Sequence, residues 1–207
     1  KLTRYASLGG YYAYGFVDQA SKWGGELVLK PQPGIGPELR GYYEYDVTES
    51  GGVAFPWVKQ SLNSTESYRW LFVDRMDRTE RFGGELSWRV GGSWRMWAIT
   101  ERNQLQHLIG YQWAEPAAEG VTVLTDRWLV GTASLGFRFA WRERLVRLPD
   151  RQYALPSKWP VVHVLATQAV KGLWEGEREL WRIDAMVEKT FRLRMLGELS
   201  VRMLGGM

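Results

Sequence analysis

The chain of 207 residues contains no cysteine, two histidines and no apolar run near the roughly 20 residues that a membrane-spanning helix needs. Without cysteine it can form neither a disulfide framework nor a thiolate metal site. His107 and His163 lie far apart in the sequence, and neither has a nucleophile signature beside it. We therefore expect a protein that is not an enzyme, that has no metal site and that needs no cofactor.

A strong charge of one sign is also lacking. The chain has 27 Lys and Arg against 23 Asp and Glu, a formal net charge of +4. Its basic residues alternate with acidic ones, whereas a nucleic-acid-binding surface needs them grouped in a patch or stripe. The sequence therefore predicts no nucleic-acid partner.

Helical spacing of apolar residues is almost absent, and an alternation with period two takes its place. In residues 81–90 the apolar side chains stand at even positions and the charged ones at odd positions. Residues 133–142 also alternate, with the apolar side chains at odd positions. Residues 191–203 read as one strand, with Leu196 as an apolar exception on its charged side. Because successive side chains of a strand point to opposite faces, the pattern predicts about ten or eleven amphipathic strands and no helix.

Glycine and proline mark the connections between these strands. Residues 91–92 are both glycine and predict a tight hairpin turn, because glycine tolerates the positive φ that such turns require. Residues 31–38, 114–120 and 147–160 contain proline among polar or small residues and are predicted to be loops. Consecutive strands joined by hairpins form an antiparallel meander, so we expect a single domain over residues 1–207.

The apolar faces can lie against another layer of protein or against the hydrocarbon of a membrane. The charged faces mix Arg and Glu with small residues, as a crowded barrel interior lined with ion pairs would. Several strands alternate for ten or more residues, whereas soluble strands run about five or six and membrane strands about nine to eleven. Aromatic residues stand near the predicted strand ends, as in membrane-interface belts: Trp23, Tyr43, Tyr45, Trp88, Trp94, Trp113, Trp128, Trp141 and Trp159.

These features predict an all-β fold, an antiparallel up-and-down transmembrane β-barrel or an incomplete segment of one. The pattern leaves open a soluble, lipocalin-like β-barrel, whose apolar face would point inward and bind a small apolar ligand. A third interpretation is a structural subunit of a larger outer-membrane complex.

Three stretches, residues 8–27, 71–89 and 139–184, resemble the C-terminal barrel of a family of bacterial outer-membrane proteins. Members of this family carry an N-terminal carboxypeptidase-regulatory-like domain and share the layout of TonB-dependent receptors. The similarity covers most of the chain, in order. The residues that match the family's motifs are Gly9, Gly10, Tyr14, Gly15, Phe16, Asp18, Asp74, Arg75, Met76, Asp77, Trp159, Pro160, Lys171 and Gly172.

The resemblance implies a protein of the bacterial outer membrane, whose partners are outer-membrane lipids and other outer-membrane proteins. The family has no assigned activity, so what it implies is membrane anchoring coupled to transport, assembly or surface display. The sequence departs from the family in two respects. No regulatory-like domain is recognisable, and the chain ends at Met207 where such barrels commonly end on an aromatic residue. We therefore expect a portion of such a barrel.

The densest cluster of charges lies in residues 74–81 and is the candidate site for an anionic ligand or a partner protein. Its members are Asp74, Arg75, Asp77, Arg78, Glu80 and Arg81. The alternative interpretation is a strand-to-turn segment in which Arg–carboxylate pairs fix the geometry of the barrel interior. Residues 141–147 allow the same two interpretations.

Overall fold

The computed structural model describes residues 3, 5–16, 19–32, 36–49, 55–57, 76–107, 112–116, 122–125, 127–147, 152–155, 157–193 and 197–206. Within them lie thirteen β-strands and a short 3-10 helix, Leu173–Glu175. The strands are β1 (Ala6–Gly15), β2 (Ala20–Leu29), β3 (Glu38–Glu49), β4 (Met76–Val90), β5 (Trp94–His107), β6 (Trp113–Pro116), β7 (Thr122–Thr125), β8 (Arg127–Ala140), β9 (Leu145–Arg147), β10 (Gln152–Ala154), β11 (Val161–Ala169), β12 (Leu180–Leu193) and β13 (Gly197–Gly206). In this part of the chain no helix has the length and apolarity to cross a membrane.

Nine of the strands form one antiparallel sheet in the order β1-β2-β3-β4-β5-β8-β11-β12-β13. Each strand lies beside the next long strand of the chain, and the two-stranded hairpins β6–β7 and β9–β10 occupy the connections on either side of β8. The predicted all-β, antiparallel up-and-down architecture is confirmed. The barrel-like sheet is not closed: within the described residues β1 pairs with β2 alone and β13 with β12 alone.

Two expectations about strand boundaries need correction. Residues 191–203 are not one strand, because β12 ends at Leu193 and β13 begins at Gly197. In the hairpin Phe191 pairs with Leu199, and both residues have odd numbers. The apolar side chains therefore occupy odd positions in both strands, so the alternation in the sequence looks unbroken. The charged residues 76–81 are not a turn but the first part of the 15-residue strand β4.

Short strands also occur where the sequence predicted loops. β6 begins the Ala-, Glu- and Pro-containing segment, and β10 lies in the proline-containing segment before β11. The predicted turn at residues 91–92 is present, and Gly91 has φ of +63° there. The alternation also predicts a strand over residues 68–76, of which residues 68–75 lie outside the described part of the chain.

One face of the nine-stranded sheet, named here the apolar face, is exposed. An unbroken row of aliphatic side chains crosses it, each directly paired with the next: Ala6, Leu29, Leu39, Leu86, Ala98, Leu135, Ala166 and Ile183. None of these residues is buried, and Leu135 near the middle of the row is 53% exposed. Alternation therefore produces a continuous hydrophobic surface that no described residue covers along most of its length.

Aromatic residues flank the aliphatic row on both sides. Toward one end of the sheet Tyr43 pairs with Phe82, and Trp23 stacks on Tyr43 with ring centroids 4.7 Å apart. Toward the other end Trp94 pairs with Phe139 at a centroid distance of 4.5 Å. The apolar face therefore consists of an aliphatic band between two aromatic zones.

The 3-10 helix after β11 folds back onto this face near the first aromatic zone. Trp174 donates from Nε1 to Thr100 Oγ1 at 2.7 Å, and its ring meets Phe82 edge-on at 5.6 Å. Contact with the carbonyl of Leu173 leaves no room for a side chain at Gly131.

The opposite face, named here the polar face, is the better covered of the two. The polar residues buried on it are Asp77, Thr79, Ser87, Thr132, Ser134, His163 and Asp184. A small hydrophobic cluster of Phe55, Leu165 and Met186, with Trp57 against it, lies among them. The burial pattern is thus the reverse of a soluble sheet, in which apolar residues are covered and polar ones face water.

Candidate functional site: the polar face

Arginine and glutamate side chains of neighbouring strands pair across the polar face. Arg40 on β3 reaches Glu26 on β2 with Nε–Oε2 of 2.7 Å and Glu85 on β4 with Nη1–Oε2 of 3.6 Å. The three strands are adjacent, and Arg40 stands directly opposite Glu85 and diagonally to Glu26, so a single guanidinium can link both neighbours. The pairing links the three strands across the polar face.

Glu38 is the centre of a second charged group. Its carboxylate accepts from Lys30 Nζ at 3.1 Å and lies 3.5 Å from Arg95 Nη2. Lys30 directly follows β2, and Arg95 belongs to β5, so the group reaches across the sheet from β2 to β5. Each partner is about one-third exposed. Solvent screens such ion pairs, so each contributes little to the stability of the fold.

A hydrogen-bonded chain joins β3, β4 and β5 further along the sheet. The hydroxyl of Tyr42 donates to Glu101 Oε2 at 2.6 Å, and Asn103 Nδ2 donates to Glu101 Oε1 at 2.9 Å. Arg81 Nε donates to Asn103 Oδ1 at 3.1 Å, and its Nη1 lies 3.9 Å from Glu44. Donors and acceptors are thus matched within this hydrogen-bonded chain, as a buried polar network requires.

The connection after β8 is closed onto the polar face by Glu143. Arg89 and Arg138 each place an Nη1 atom 3.0 Å from its Oε2, and the Glu143 side chain is 1% exposed. Burial alone would raise the pKa of Glu143, but hydrogen bonds and charge from Arg138 and Arg89 outweigh it and hold the pKa below the ordinary value. Glu143 is therefore a charged anchor between two arginines of different strands.

Three aromatic side chains lie over glycines of the polar face. A Cβ at Gly24 would be 2.6 Å from the ring of Tyr11, and one at Gly83 would be 2.9 Å from the hydroxyl of Tyr42. The third such glycine, Gly136, lies under the ring of Trp57. A glycine inside a strand commonly marks the close approach of another group, and here that group is an aromatic side chain.

The four described residues of the predicted charged site do not form one cluster. Asp74 and Arg75 lie outside the described residues. Asp77 and Arg81 point to the polar face, whereas Arg78 and Glu80 point to the apolar face, since all four belong to β4. Glu80 accepts from the hydroxyl of Tyr43 at 2.8 Å on that side.

Both histidines have partners that sequence reasoning missed. Asp77 Oδ1 lies 2.6 Å from His107 Nδ1, because β4 and β5 pair these two positions directly. Trp57 Nε1 donates to His163 Nδ1 at 2.9 Å. In the sequence, glycines among the polar-face positions were the available signal for close aromatic contacts. Which aromatic side chain lies over each glycine follows only from the fold. Among the described residues no group of three His, Asp or Glu side chains is placed to hold a metal ion.

The arrangement can neutralise charge and order water, since every arginine described above on the polar face is matched to a carboxylate or an amide. It presents paired dipoles and few free charges, which suits a polar interior better than a site for a multiply charged anion. No family model, no curated protein and no solved structure matches the chain.

Proposed function

We propose that this chain is an outer-membrane β-barrel protein, or a segment of one. Its apolar face would contact outer-membrane lipids, and its polar face would line the interior. The role is membrane anchoring coupled to transport, assembly or surface display. The observation that carries the proposal is the inverted burial: the leucines of the aliphatic row are exposed, while Glu143 and seven polar residues of the polar face are buried.

Water is an unfavourable solvent for the apolar face. Monomeric soluble proteins rarely expose contiguous apolar patches larger than a few hundred Å², and here such a surface runs across eight strands. In hydrocarbon the same surface carries no hydrophobic penalty, and backbone groups are satisfied by pairing with neighbouring strands. Exposure of this face is therefore compatible with stability only if lipid or another apolar layer covers it.

The aromatic zones support the same proposal. Transmembrane β-barrels carry an apolar band about 25 Å tall, flanked by aromatic girdles at both interfaces. On this sheet Tyr43 and Phe82 stand four residues from the aliphatic row toward one end, and Trp94 and Phe139 stand four residues from it toward the other. The strands of 10 to 15 residues in the large sheet, β11 with nine apart, also suit a tilted membrane crossing.

The lipocalin-like alternative requires the leucines to point inward and the arginines outward. Leu135 is 53% exposed whereas the side chain of Arg138, on the same strand, is 19% exposed, which favours the membrane barrel. A subunit of a larger outer-membrane complex would differ from a barrel on its own, because it would have stable partner chains.

Membrane fractionation and gel migration test the proposal. After expression in a Gram-negative host, we expect the protein in the outer-membrane fraction, extractable by detergent but not by high salt or carbonate. Unheated samples should migrate differently from boiled ones, because folded barrels resist denaturation by SDS. Recovery of a folded, detergent-independent protein from the soluble fraction would contradict the proposal, and co-purification of a stoichiometric partner would favour the complex.

A further inference from the structure

The segment of residues 55–57, in the connection between β3 and β4, lies against the polar face. The ring of Trp57 stacks on that of Trp97 with a centroid distance of 4.1 Å and an angle of 10° between the planes. Trp97 is 2% exposed on β5, and the guanidinium of Arg95 lies 5.1 Å from its ring centre. Near-parallel stacking on a fixed ring gives Trp57 one defined plane.

The indole N–H of Trp57 has a specific acceptor. Its Nε1 donates to His163 Nδ1 at 2.9 Å, which requires His163 to be neutral with its proton on Nε2. His163 is 4% exposed on β11. A buried indole N–H without an acceptor is costly, so this contact selects for a ring with a donor at that edge.

The floor beneath the ring is shaped to receive it. Gly136 on β8 stands between Trp97 and Leu165 in the sheet register, and a Cβ there would collide with the ring of Trp57. Phe55, Leu165 and Met186 form the apolar wall beside it. Four adjacent strands, β5, β8, β11 and β12, thus supply a stacking ring, a notch, an acceptor and an apolar wall.

We propose that Trp97, Gly136, His163 and Leu165 form a binding site for a planar aromatic ring with an N–H donor. In this structure the chain's own Trp57 fills that site. The bound Trp57 holds residues 55–57 on the polar face and narrows the proposed barrel interior at the level of β5, β8 and β11. The binding site itself needs no membrane, whereas the narrowing of an interior rests on the proposed function.

Indole binding to a cavity variant tests the site. Trp57→Ala removes the ring and leaves its floor, acceptor and wall in place, so indole should bind the variant in detergent solution and not the parent protein. Because 1-methylindole cannot donate to His163, it should bind about tenfold more weakly than indole. Isothermal titration calorimetry measures both. Trp174→Ala is the matched control, since its ring lies on the apolar face, and it should bind neither compound.

Single-channel conductance in planar bilayers tests the narrowing. Trp57→Ala should conduct at least twofold more than the parent, and added indole should return the conductance toward the parental value. Gly136→Val fills the notch with a side chain and should also raise conductance, without rescue by indole. It provides a second variant if Trp57→Ala does not fold.

The outcomes separate the two parts of the proposal from each other and from the proposed function. A folded Trp57→Ala protein that binds no indole in detergent overturns the site. Indole binding with conductance equal to that of the parent overturns the narrowing. Failure of all variants and the parent to insert into bilayers would count against the membrane function, and the calorimetric result would still decide the site.

Discussion

Arg138 and Glu143 form an ion pair that closes the end of β8 onto the polar face, with Nη1–Oε2 of 3.0 Å. Arg89 of β4 shares the same carboxylate oxygen at 3.0 Å. One buried carboxylate therefore connects two strands that are not neighbours in the sheet to a connecting segment. This geometry makes Glu143 a sensitive position for stability.

Glu143→Gln should lower the free energy of unfolding by about 1–3 kcal/mol, because the two arginines lose charge-assisted hydrogen bonds. Urea unfolding of the protein in detergent measures the change. Glu175→Gln is the control: this side chain is 83% exposed and lies 3.9 Å from Arg102, so its loss should have little effect. Equal effects of the two variants would contradict the anchoring role of Glu143.

The contribution of Glu143 should depend on pH. Its pKa in the folded protein is held below the ordinary value of a glutamate, so the folded state favours the charged form. That contribution is fully present above the pKa of the unfolded state and is lost as the pH falls through the lower folded pKa. The stability difference between the parent and Glu143→Gln should therefore be constant from pH 8 to about 6 and shrink below about 4.5. A stability difference that grows as the pH falls would contradict a lowered pKa of Glu143 in the folded protein.

Arginine substitutions on the apolar face should have effects that depend on depth. Leu135→Arg, in the aliphatic row, should destabilise the membrane-inserted protein by about 2–4 kcal/mol. Gln104→Arg, on the same face but beyond the first aromatic zone, should cost about 0–1 kcal/mol. Unfolding from lipid vesicles measures both. Similar small costs at the two positions would mean that Leu135 does not face hydrocarbon.

Two adjacent glycines of β4 should respond differently to a methyl group. A Cβ at Gly83 would lie 2.8 Å from Glu101 Cβ and 2.9 Å from the hydroxyl of Tyr42, whereas one at Gly84 would find its nearest neighbour at 3.9 Å. Gly83→Ala should lower the free energy of unfolding by about 1–3 kcal/mol through overpacking. Gly84→Ala should be neutral or stabilising by up to about 1 kcal/mol, because alanine restricts the unfolded chain more than glycine does. The pair is compared by urea unfolding, and a reversed order would contradict the close contact of Tyr42.

The alternation of side chains predicted much of the fold because it is a local property. Parity alone assigned Leu135 and Phe139 to one face and Ser134 and Arg138 to the other, as the structure has them. The same parity hid the hairpin between β12 and β13, since its register pairs odd residues with odd ones. Membrane location stays a prediction, because alternation describes two faces and not what covers them.

The candidate site was less accessible to sequence reasoning because its contacts join distant parts of the chain. Trp57 meets a histidine 106 residues away, and only the strand order brings β11 beside β8 and β8 beside β5. The charged cluster was predicted from proximity in sequence, but adjacent residues of a strand point to opposite sides. Asp77 and Arg78 therefore cannot serve one site, although they are neighbours in the chain.

The outermost strands have a consequence for closure. Every neighbouring pair in the nine-stranded sheet is antiparallel, so strand direction alternates eight times from one edge of the sheet to the other, and β1 and β13 run the same way. A ring built from antiparallel neighbours alone has an even number of members. Because β1 and β13 run in the same direction, they cannot close an antiparallel ring by pairing with each other. Copies of this sheet inserted in the same orientation cannot close it either, because β13 of one copy would be parallel to β1 of the next. The strand that completes such a ring must run opposite to both.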